Sequence, residues 1–172
     1  MDVTEAKLLE LSGEHDISEV QALVLRDYQI SKIQKSVISR LSRLNCLSLS
    51  NNLITTIDFL DSLDGLIELN LNFNQISEVR SLNCLGLRKL FLSHNLLTSF
   101  DSLSHLTNIR ELCLYENKID NIGEGGFRPL INMRKLHSLD VGGNGAFSSP
   151  SSTTLLVSVD SKIVVNSLIL MK

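Results

Sequence analysis

The sequence predicts a repeat protein, a solenoid of similar units that bury their apolar faces only by stacking on one another. Three observations carry this. An apolar pattern recurs along the chain, with spacings of 24, 22, 21, 22 and 27 residues between first positions. Within each copy two apolar residues alternate at period two, as a strand requires if both are to point inward. In five copies an asparagine then follows at a fixed offset, where the chain has to turn.

Taken in order, residues 3–14 read as one short helix, with Leu8, Leu9 and Leu11 against the first strand and Gly13 ending it. Residues 1–19 are thus the expected N-terminal helical cap. The first unit holds Val20, Leu23, Leu25 and Ile30, with Tyr28 where asparagine belongs. Four regular copies follow: Leu44, Leu47, Leu49, Asn52, Ile54; Leu66, Leu69, Leu71, Asn74, Ile76; Leu87, Leu90, Leu92, Asn95, Leu97; and Ile109, Leu112, Leu114, Asn117, Ile119. A weaker one is Leu136, Leu139, Val141, Asn144 and Ala146. Residues 20–145 therefore carry about six units, the outer two degenerate. A second apolar set closes the other side: Ile57, Leu60 and Leu63, then Ile76, Val79 and Leu82, then Phe100, Leu103 and Leu106. Asn52, Asn74, Asn95, Asn117 and Asn144 would stack in a structural ladder, each amide bonding backbone groups freed by the turn.

The pattern from Ile54 to Asn74 resembles the 22-residue class of leucine-rich repeats, found in a nuclear regulatory subunit of protein phosphatase 1, in axonemal dynein light chains and in ciliary assembly factors. The resemblance covers roughly residues 20–144. It implies an α/β repeat fold, a right-handed solenoid with a parallel concave sheet of about six strands and short irregular or 3-10 convex segments. It also implies protein–protein interaction, with a ciliary, centrosomal or cytoskeletal role ranked ahead of a phosphatase-regulatory one.

Residues 146–172 read as an atypical C-terminal tail. The Pro and helical cap that usually follow the last repeat of this class are missing, and a Ser/Thr-rich stretch leads into the apolar run Leu155–Met171. Two readings stay open: a divergent cap with strands at Leu155–Val159 and Ile163–Val165, or an alternative or truncated ending, as in a structural fragment or isoform that acts through its tail. In the second case the edge near Leu139 stays open, and weak self-association is expected. A membrane anchor is disfavoured: Leu, Ile and Val in the run contribute roughly −3 to −6 kcal/mol, while Asp160 and Lys162 return about +5 to +7.

The chain has 172 residues, is 43% hydrophobic and 20% charged, and carries a formal charge of −3. That suits a folded domain and gives no basic excess for nucleic acid. The first residues hold no apolar run of signal-peptide length, and Cys46, Cys84 and Cys113 make an odd count. Both point to a reducing, cytoplasmic setting, with cilium or centrosome as candidates and the nucleus left open. No catalytic, metal or cofactor site is expected. His15, His94, His105 and His137 are scattered, Asp58, Asp61 and Asp64 lack the alternate spacing of a calcium loop, and Gly123 to Gly126 precede no Lys-Ser/Thr pair.

Function is expected on the outward columns of the strands. One holds Cys46, Glu68, Lys89 and Glu111, the next Ser48, Asn70, Phe91 and Cys113, and the third Ser50, Asn72, Ser93 and Tyr115. Asn51, Phe73, His94 and Glu116 lie just beyond, and Arg88 and Arg110 precede the same strands. Exposed Phe73, Phe91 and Tyr115 beside arginine match the composition of binding hot spots. Glu68, Lys89 and Glu111 alternate in sign and form either a lateral ion-pair ladder or a specificity element.

Overall fold

The computed structural model describes residues 3–120, 128–147, 163–165 and 168–170. Helix α1 (Glu5–Ser12) begins where the Thr4 hydroxyl accepts from the Lys7 N–H at 3.3 Å. It ends at Gly13, whose φ of 75° sets the left-handed turn that glycine adopts without penalty. Leu8 is fully buried, and Leu9 and Leu11 pack partly against the core.

One sheet runs the length of the molecule: β1 (Ala22–Val24), β2 (Cys46–Ser48), β3 (Glu68–Asn70), β4 (Lys89–Phe91), β5 (Glu111–Cys113), β6 (Ser138–Asp140), β7 (Ile163–Val165) and β8 (Leu168–Leu170), paired in chain order. All neighbours are parallel except β8, which returns antiparallel to β7. The register places Leu23, Leu47, Leu69, Leu90, Leu112 and Leu139 in one inward row. The first six strands stand where the repeat predicts them. Of the two strands named for the tail, Ile163–Val165 is present and pairs with β6. The expected open edge at Leu139 is therefore not found, because β7 takes up backbone groups that β6 would otherwise leave unpaired. Leu155–Val159 and the Gly123–Gly126 insertion lie outside the described residues.

Opposite the sheet run α2 (Lys35–Ile38), α3 (Arg128–Ile131) and short 3-10 turns at Asp58–Leu60 and Asp101–Leu103. Ile57, Leu60, Leu63, Ile76, Val79, Leu82, Phe100, Leu103 and Leu106 are all buried there, as the second apolar set requires. Each fully buried leucine contributes roughly 1.5–3 kcal/mol relative to exposure. Phe59, which the repeat pattern leaves unassigned, is buried as well. Of the three acids in this region Asp58 and Asp64 are exposed, whereas Asp61 is half-buried with Lys35 Nζ at 3.7 Å. At Gly86 the backbone of the preceding unit leaves no room for a side chain, since an added Cβ would lie 2.8 Å from the Asp64 carbonyl oxygen.

The asparagines of the turn are buried, and each joins two units. Asn95 donates from Nδ2 to the carbonyls of Leu92 (3.1 Å) and Ser93 (3.2 Å) in its own unit and of Leu71 (2.9 Å) in the one before. Its Oδ1 accepts from the Ile76 N–H at 3.0 Å. Asn74 reaches back in the same way to Leu49 and Ile54, Asn117 to Leu92 and Leu97, and Asn144 to Leu114 and Ile119. In the first unit Tyr28 replaces the asparagine, and Asn52 Oδ1 accepts from both Tyr28 and Ile30 N–H groups.

Replacing Asn95 by Ala would leave the Ile76 N–H without this partner, while the Leu71 and Leu92 carbonyls would keep the amides of Asn74 and Asn117. At about 1–3 kcal/mol for one unsatisfied buried group, Asn95→Ala is expected to lower stability by that amount in urea titration. A midpoint equal to that of the parent would remove the ladder from the account of stability.

Candidate binding surface

The outward side chains form five columns across the sheet, and the columns differ in chemistry. In the first column inside the strands, Lys89 Nζ lies 3.7 Å from both Glu68 and Glu111 carboxylates. These half-exposed groups form the lateral ladder, which contributes little stability in water but fixes where charge sits. In the next column Phe91 is half-buried rather than open to solvent, flanked in register by Asn70 and Cys113. In the third, Ser50 and Ser93 are buried. Ser93 Oγ meets Cys113 Sγ at 3.0 Å, and Tyr115 alone stands out of that column at 38% exposure.

The fourth column, where the strands end, has a backbone feature that the residue types do not announce. Asn51, Phe73, His94 and Glu116 have φ of 55°, 57°, 55° and 50°, and Gly143 follows with 71°. The left-handed conformation turns the chain so that the asparagine after it points inward. For a residue with a Cβ it costs roughly 1–2 kcal/mol. Asparagine and glycine occupy it readily and histidine more often than most residues; phenylalanine and glutamate do not.

Those three costly positions hold a connected cluster. The Phe73 and His94 rings stack with centroids 4.1 Å apart and planes 11° apart. His94 meets Tyr115 edge-on at 5.6 Å, and its Nδ1 lies 3.0 Å from Glu116 Oε2. Hydrogen bonding to Glu116, together with its charge, raises the Tyr115 pKa above the ordinary tyrosine value. Phe73 remains 49% exposed. The structure thus brings Phe73, His94, Tyr115 and Glu116 together and leaves Phe91 apart, deeper in the sheet.

At the other end of the strands one more column precedes them. Arg110 N–H donates to the Arg88 carbonyl at 2.7 Å, and His137 N–H to that of Arg110 at 2.9 Å. Arg88 is half-buried and Arg110 and His137 are exposed. Glu68, Lys89, Glu111 and these arginines therefore belong to the end where the strands begin, and the aromatic cluster to the end where they stop. His137 was indistinguishable in the sequence from the other scattered histidines. Only the register aligns it with Arg88 and Arg110.

The described residues contain no cluster of side chains suited to a metal ion, and no helix among them is long and apolar enough to cross a membrane. All three cysteines are free.

Two family models match the chain: one for the leucine rich repeat at residues 18–76, and one for two copies of that repeat at residues 85–128. No curated protein matches it. Among solved structures, a chain of a TLR13–ssRNA13 complex is 27% identical over 84% of this chain, with a TM-score of 0.66. This chain spans 21% of that one. Internalin C2 of Listeria monocytogenes is 18% identical with a TM-score of 0.56, covering 94% of this chain and 91% of its own, and shares the fold.

Burial pushes the Cys84 thiol up to about 11, whereas Cys46 and Cys113 are half-exposed on the sheet face. Since the thiolate is the reactive form, iodoacetamide at pH 8 is expected to modify Cys46 and Cys113 well before Cys84, as read by peptide mass spectrometry. Cys84 reacting first would contradict its position beneath the opposite side of the solenoid.

Proposed function

Because this chain is a leucine-rich-repeat protein, we infer that it is a binding module that captures a protein partner on its concave sheet. The observation that carries this reading is the Phe73–His94–Tyr115–Glu116 cluster. Three of its residues hold backbone conformations that glycine or asparagine would adopt at lower cost. Strain of this kind is retained where the side chains presented are needed for something other than stability. Stacked, half-exposed rings held rigid by their neighbours suit a hot spot, because little side-chain freedom is lost on binding.

A protein partner accounts for the face better than nucleic acid does. Glu68, Glu111, Glu116 and Asp140 lie on it or at its rim and would repel a phosphate backbone. Among the described residues Cys113 Sγ meets Ser93 Oγ and the Asp140 carboxylate but no base held by an orienting acid, so binding rather than catalysis is the activity proposed. The resemblance to the 22-residue class of repeats favours a ciliary, centrosomal or cytoskeletal setting within the cytoplasm, with phosphatase regulation as the second choice.

Partners trapped by proximity cross-linking to the full chain would provide the assay. Phe73→Ala combined with Tyr115→Ala is expected to weaken capture by about 2 kcal/mol, a hot-spot magnitude, with little change in thermal stability. Capture unaltered by the folded double variant would refute the reading.

A further inference from the structure

Charge pairing divides the molecule. In the first three units the described cations have acidic partners: Arg26 with Asp27, Lys35 with Asp61, Arg40 with Glu5, Arg43 with Glu19 and Arg80 with Glu78, leaving only Lys32 without one. In the last three units the balance reverses where the strands begin. Arg88, Arg110, Arg134 and Lys135 have no carboxylate within ion-pair distance among the described residues, and Glu111, the acid nearest to them in register, is engaged by Lys89. On a chain of net charge −3 this is a local positive strip.

The strip is ordered rather than diffuse. Arg88 Nη1 donates to the Leu85 and Leu87 carbonyls at 3.3 and 3.2 Å, which holds its guanidinium along the rim. Lys135 Nζ donates to Asn108 Oδ1 at 2.7 Å, which brings the sixth unit's ammonium to the start of the fifth. Arg88, Arg110 and His137 follow one another on successive strands, about 4.8 Å apart. Two exposed apolar side chains adjoin the N-terminal side of the strip, Ile67 at 47% in the same column and Leu85 at 77% beside Arg88.

We propose that this rim docks an acidic, extended segment of the protein partner, with carboxylates at alternate positions lying over Arg88, Arg110 and the Arg134–Lys135 pair, and an apolar residue over Ile67 and Leu85. The proposal rests on the concave-face reading and adds the partner's chemistry. Same-face side chains of an extended segment repeat at about 6.6–6.8 Å, so two or three carboxylates span the strip. A single-stranded nucleic acid is the poorer fit. Such ligands are held where cations and stacking rings interleave. Here Phe73 and Tyr115 stand at the far ends of the strands, about 15–20 Å away, next to Glu116. A partner that touches both ends therefore carries its acidic segment and its aromatic-binding residue at that separation.

The test titrates the isotope-labelled full chain at low salt with a twelve-residue peptide of alternating glutamate and serine that ends in leucine. Amide shifts are expected at residues 85–89, 108–111 and 134–138, weakening as salt rises. Arg88→Gln with Arg110→Gln should reduce affinity roughly tenfold, while Lys32→Gln with Arg80→Gln, which removes equal charge elsewhere, should leave it unchanged. Equal loss in both double variants, no loss in the first, or shifts centred on other residues would overturn the proposal. So would tighter binding of a twelve-nucleotide oligouridylate through the same arginines. Its failure is separable from that of the concave-face reading: cross-linked partner capture that depends on Phe73 and Tyr115 but not on Arg88 and Arg110 keeps the latter and removes this one.

Discussion

The structure depends on a side-chain amide that does the work of a backbone peptide. Parallel strands of three residues cannot hold a fold by their own ladder, and the turn after each strand frees N–H and C=O groups in a place water does not reach. Asparagine supplies a donor and an acceptor of backbone type on a short stem, so one buried side chain satisfies groups in its own unit and in its neighbour. With those groups paired, burial of the leucine rows is favourable without an accompanying desolvation penalty. Remove the amide, and the same rows would close over unpaired polar atoms.

The surface is a consequence of that arrangement. The amide must point inward, so the residue before it has to turn left-handed, and this places one side chain per unit at the rim where the strands stop. At the opposite rim the ladder continues one residue before each strand, which stacks Ile67, Arg88, Arg110 and His137. The sheet face therefore has a polarity across its width, basic and apolar at one side and aromatic and acidic at the other. A partner read against such a face is oriented as well as bound.

The inward half of this molecule was legible in the sequence because burial leaves few choices: leucine at period two, asparagine at the turn, and a second apolar set opposite. The outward half was legible only as positions. The left-handed column reads Asp27, Asn51, Phe73, His94, Glu116 and Gly143, a mixture of residue types that favour positive φ and types that do not, so no periodic search finds it. Phe91 looked equivalent to Tyr115 by alternation, yet it is half-buried because the pleat at the centre of the sheet is flanked on both sides and the rim is not. The basic strip is dispersed over Arg88, Arg110, Arg134 and Lys135, and it becomes a strip only after the register folds residues 88–135 onto three neighbouring strands. The tail was ambiguous for a different reason: an apolar run after a Ser/Thr-rich stretch specifies neither a partner strand nor a direction.

The asparagines also have a direction. Asn52 reaches back to Leu25 and Ile30, Asn74 to Leu49 and Ile54, and so on to Asn144, which reaches Leu114 and Ile119; among the described residues these side-chain bonds beyond the asparagine's own unit go to chain made earlier. A ribosome delivers the N-terminal units first. Each new asparagine therefore leaves the exit tunnel with its acceptors and donors already in place, and no unit has to wait for later sequence to complete its own staple to what came before. In the first unit Tyr28 stands in the asparagine slot, and it is α1, not another repeat, that packs against β1 there.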